Sequence, residues 1–89
     1  MTMTDELLRQ ASESLRVASA AASGDNQRQL YQRSNALAEM ATDDVTISSD
    51  ELDELLNTLE VIKRATEDTS KASIQEAQQL ISKRKLRLE

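Results

Sequence analysis

Eighty-nine residues with a net charge of −5 contain no histidine, no cysteine and one aromatic side chain, Tyr31. That removes the commonest general base, the thiolate nucleophile, disulfides and thiolate metal sites, and an acidic surface disfavours non-specific contact with nucleic acid or anionic lipid. Twelve Leu, four Ile and three Val must supply most of a core, and a chain this short buries only about 60–65% of its unfolded surface. Self-association is therefore the expected source of further burial.

The chain opens with Thr4 placed to cap a helix over about 5–23, with Asp5 and Glu6 in the first turn. Leu8, Ala11, Leu15, Ala18 and Ala22 recur at helical spacing and mark its buried face. Asp5 and Arg9 stand four apart and can pair. VASAAAS carries the A-x-A spelling of a cleavage site, but Asp5, Glu6, Arg9, Glu13 and Arg16 interrupt any apolar leader region. No run approaches the roughly 18 apolar residues that span a bilayer, so the reading is a cytoplasmic protein with no membrane contact.

Gly24 follows directly, and its natural role is the left-handed residue just past a helix end. Asp25 then caps a second helix over about 26–41, with Leu30, Ser34, Leu37, Ala38 and Ala41 on one side. So short a link makes the two helices antiparallel neighbours, and the alanines allow close approach. TDDVTI at 42–47 is the main connection, with Ile47 placed to staple the next helix.

The third helix, about 49–67, has the clearest pattern. Ser48 and Glu51 spell a capping box, and Leu52, Leu55, Leu56, Leu59 and Ile62 line one face. These five are the expected centre of the core or of an interface. Lys63 and Arg64 suit its C-terminal end, and Glu60 can pair with Arg64. Residues 68–73 leave a break or a kink open. Ser73 and Glu76 spell a second capping box, which starts a fourth helix over about 74–87 with Ile74, Ala77 and Ile81 inward. Leu88 falls on the same face, but Leu88-Glu89 also has the spelling of a vector-derived junction, so Leu88 carries little weight.

The whole predicts one all-α domain, 1–89, an antiparallel bundle of three or four helices completed by dimerisation. Catalytic residues, cofactors and metal ligands are expected to be none. Asp43, Asp44, Asp50, Glu51, Asp53 and Glu54 are acidic, but their spacing is not that of a calcium loop and they read as helix-end charges. Lys83, Arg84, Lys85 and Arg87 are the one basic cluster, a possible anion contact or simply cations at a helix C-terminus.

The start MTMTDE, the small-residue stretch ASAAASGDNQRQL at 18–30 and the acidic balance together resemble small acidic uncharacterised all-helical proteins of halophilic archaea. The resemblance implies a salt-rich cytoplasm and brings no assigned activity to carry over. The function expected from the residues is a non-catalytic module that binds itself or a partner helix. The alternative is a small regulator touching nucleic acid through Lys83 to Arg87, which the acidic surface disfavours.

Overall fold

Each helix begins and ends for a local reason. The computed structural model describes residues 5–42 and 47–88, and among these it contains α1 (Glu6–Ala21), α2 (Gly24–Ala41), α3 (Ser49–Ala65) and α4 (Asp68–Leu86). Asp5 is the N-cap of α1, where its Oδ1 accepts the Leu8 N–H at 3.2 Å. Its other carboxylate oxygen accepts from Arg84 of α4, and its own N–H donates to the Ala41 carbonyl of α2 at 2.8 Å. One residue thus ties three helices. The expected Asp5–Arg9 pair does not form, because the capping role turns the Asp5 carboxylate into the bundle, and Arg9 pairs with Glu6 and Glu13 instead. Thr4, the expected cap, lies outside the described residues.

Gly24 does carry the left-handed backbone, at φ 61°, but one step later than expected. Ala22 ends α1 in an extended conformation, and Gly24 opens α2 after the N-cap Ser23. No neighbouring atom would meet a Cβ at position 24, so the backbone alone selects glycine there. Asp25 lies in the first turn of α2, paired with Arg28 at 2.8 Å, rather than capping it. Ser48 caps α3 as its spelling predicts, accepting the Glu51 N–H at 3.1 Å, and Ile47 is partly buried against the core.

The break between α3 and α4 falls at Thr66–Glu67, not at 68–73, so α4 begins at Asp68 rather than Ile74. Ser73, read as a cap, is an interior helical residue. The reason is visible at Ser70. It is fully buried and its hydroxyl donates to the Ala18 carbonyl of α1 at 2.9 Å. A position that looks like a polar interruption of the seam is therefore part of it.

The helices run alternately up and down. Ser12 Oγ donates to the Ser34 carbonyl at 2.7 Å and Ser19 Oγ to the Gln27 carbonyl at 3.1 Å, so α2 descends as α1 rises. Arg84 beside Asp5 and Ser70 beside Ala18 fix the same antiparallel sense for α4 against α1. α1 lies between α2 and α4, α3 lies between α4 and α2, and α1 and α3 face each other across the diagonal. The sequence points to α3 as the organising helix, and the structure seats it diagonally from α1, which packs more closely on the same two neighbours. Ala11, Ser12, Ala18, Ser19 and Ala22 let two helices come close to α1, whereas the large leucines of α3 hold its neighbours further off.

The core runs the length of the bundle. Leu8, Leu15, Leu30, Leu37, Leu52, Leu59, Ile74 and Ile81 are fully enclosed within one chain. The leucine face of α3 needs no second copy to cover it.

Candidate functional site: a groove between α2 and α3

The fourth side of the bundle is the loosest. At one end it is held shut by Asn26, whose side-chain amide at the start of α2 donates to the Ala65 carbonyl at the end of α3 at 3.1 Å. This bond satisfies a helix-end carbonyl that has no partner inside α3. Toward the other end the walls part. The α2 wall offers Arg33, Ala36, Glu39 and Met40, and the α3 wall offers Glu51, Glu54, Leu55 and Thr58. A guanidinium, a methyl group and a thioether do not interdigitate with a facing row that includes two glutamates. The result is an open groove of about 360 Å³. Its apolar lining comes from Ala36, Met40 and Leu55, and three carboxylates against one guanidinium make it acidic.

The five leucine-face residues expected at the centre divide between two environments. Leu52, Leu59 and Ile62 are core, Leu55 is buried but also lines the groove, and Leu56 is partly buried against the core. The sequence reading missed the groove. It depends on which helices are neighbours and how far apart they stand, and neither is written in any one helix's periodicity.

The other α3 flank is sealed by polar groups. Gln78 of α4 accepts from Lys63 Nζ at 3.0 Å and donates to Glu60 Oε2 at 3.2 Å, while Lys63 and Glu60 themselves lie 3.1 Å apart. The Gln78 amide, and next the Lys63 ammonium, hold the Glu60 carboxyl below the usual carboxylate range. Arg64, the partner expected for Glu60, lies further away at 3.9 Å. On α1, Arg9 holds Glu6 below its ordinary range in the same way, on the exposed surface.

The basic cluster is split by the fold. Arg84 pairs with Asp5, and Lys85 with Asp53 of α3 at 2.5 Å. Both therefore fasten α4 to the bundle. Lys83 and Arg87 are exposed and make no ion pair among the described residues. Of the acidic residues, Asp53 is committed to Lys85, Glu51 and Glu54 line the groove, and Asp43 and Asp44 lie outside the described residues. No helix among the described residues is long and apolar enough to cross a membrane. A profile of DUF7553, described as a family of unknown function, matches residues 3–85. No curated protein and no solved structure matches the chain.

Proposed function

From the premise that the chain belongs to this family of unknown function, which brings no activity to carry over, we propose a function on geometry: a non-catalytic module that self-associates through the α2/α3 groove. One observation carries the reading. A core closed on three sides leaves its fourth side open, with an apolar floor and a rim of carboxylates. Buried leucines elsewhere mean that association has only this seam and the outer surface to use. The lack of histidine and cysteine supports a binding role over a catalytic one. Contact with nucleic acid draws less support, since only two of the four clustered cations are left for phosphates.

Light scattering across protein concentration tests the reading. Mass should rise toward that of a dimer, and Ala36→Arg, which fills the groove with a charged side chain, should abolish the rise. A concentration-independent monomer would sink it. The net charge of −5 on so short a chain also supports a salt-rich cytoplasmic setting. Melting temperature should then climb as KCl is raised toward molar concentration, and a flat response would remove that part of the proposal.

A further inference from the structure

The groove has a complement on the same molecule. By Arg84, α4 has reached the N-cap of α1, and by Lys85 the second turn of α3, so Leu86 and Arg87 lie at the end of the bundle where α1 and α3 begin. The inward row of α4 is Ser70, Ile74, Ala77 and Ile81. Lys83, Leu86 and Arg87 stand three and four apart on another face, and all three are exposed, Leu86 at 68%. An exposed leucine between two cations that make no ion pair among the described residues is an apolar contact with a basic frame. The groove is an apolar floor with an acidic frame, and neither Glu39 nor Glu54 has an ion-pair partner among the described residues.

Building on the self-association reading, we propose that the groove of one copy receives the Lys83–Leu86–Arg87 facet of a second copy. Leu86 meets Met40 and Leu55, and the two cations meet Glu39 and Glu54. Groove and facet both lie toward the end of the bundle where α2 and α4 finish and α3 begins. A two-fold axis near that end lets each copy donate its facet and accept the other's, which closes the assembly as a dimer instead of leaving a filament.

The test is charge exchange in the full chain, read by sedimentation equilibrium, with circular dichroism to confirm that each variant stays helical. K83E/R87E should weaken dimerisation roughly tenfold, and E39K/E54K should do the same, because each leaves like charges facing across the contact. Overall repulsion predicts otherwise. E39K/E54K lowers the magnitude of the net charge from −5 to −1 and would tighten association if only the total charge mattered. Combining all four substitutions should restore affinity to within roughly threefold of the starting protein. Should a charge variant lose helicity, Leu86→Ser at an exposed position gives a second reading and should weaken dimerisation on its own. A dimer that E39K/E54K tightens, or that the four-fold exchange does not recover, overturns the facet as occupant and leaves self-association standing. A wild-type chain that is monomeric throughout overturns both.

Discussion

The α1 side and the α2/α3 side of this bundle are built from different chemistry, and the difference explains why one is closed and the other open. Around α1, alanine methyls and serine hydroxyls alternate with the buried Leu8 and Leu15. Small side chains bring backbones together, and at that distance a hydroxyl reaches the carbonyl of the next helix. Ser12, Ser19 and Ser70 each do so. Some of these bonds also finish helix ends. Ala22 N–H turns back to Ser19, and the Ala18 carbonyl accepts Ser70 from α4 instead, with Thr69 near the Ala21 carbonyl at 3.5 Å. Across α2 and α3, long and branched side chains meet charged ones, and the side-chain bridge at the far end comes from Asn26.

The comparison breaks most visibly on leucine deletion. Leu15→Ala removes a fully enclosed side chain from α1 and should cost about 2–5 kcal/mol, because the surrounding helices cannot collapse into the space. Leu55→Ala removes the same atoms at the groove, where solvent already enters, and should cost only about 1–2 kcal/mol of transfer energy. Denaturant melts of the two variants decide it. Equal losses would mean that the seam is as tightly packed as α1.

Enlargement probes the two sides from the opposite direction. Ala18 is fully buried beside Ser70, so Ala18→Leu should destabilise by about 1–3 kcal/mol through overpacking. Ala36 lines the groove, and Ala36→Leu should fall within about 0.5 kcal/mol of the parent. Thermal midpoints measured side by side are enough, and a clear loss at Ala36 would show that the two walls already touch.

How much of this was legible beforehand follows from the same contrast. Helical periodicity identified Leu8, Ala11, Leu15 and Ala18 on α1, Leu30 and Leu37 on α2, and Ile74, Ala77 and Ile81 on α4, because burial of one face acts within each helix. It went astray at Ser70, which is buried, yet as a polar residue looks like a gap in the stripe. Whether a serine is a gap or a contact depends on a carbonyl 52 positions away in sequence, which no local pattern contains. The same limit hid how closely α1 packs on its neighbours. Leucine density points to α3, but closeness of approach is set by the smallest residues, not the largest. The groove was invisible for a related reason, since Arg33, Ala36 and Met40 face Leu55 and Thr58 only once the bundle order is known.

Ser70→Ala is the direct test of that lesson. It keeps the small volume and removes the hydroxyl, leaving the Ala18 carbonyl buried without this donor. The expected loss is about 1–2 kcal/mol, above the usual value for one neutral hydrogen bond. Ser73→Ala, at the false capping position inside α4, should change stability by less than about 0.5 kcal/mol. Were Ser73 the more sensitive of the two, the start of α4 at Asp68 would be wrong.

The smallest effect should come from the sealed flank of α3, and it is one of pH. Glu60 has a folded-state pKa below its ordinary value because Gln78 and Lys63 stabilise the carboxylate. A carboxyl depressed in the folded state contributes stability that is fully present above its unfolded value, near 4.5, and is lost as pH falls through the lower folded value. The unfolded chain takes up the proton first, so acid favours unfolding in that window. Glu60→Gln removes the titrating group while keeping a side chain that can still meet Gln78. Its stability should therefore track the parent at a small constant offset near neutrality and converge with it in acid, below the ordinary carboxylate range.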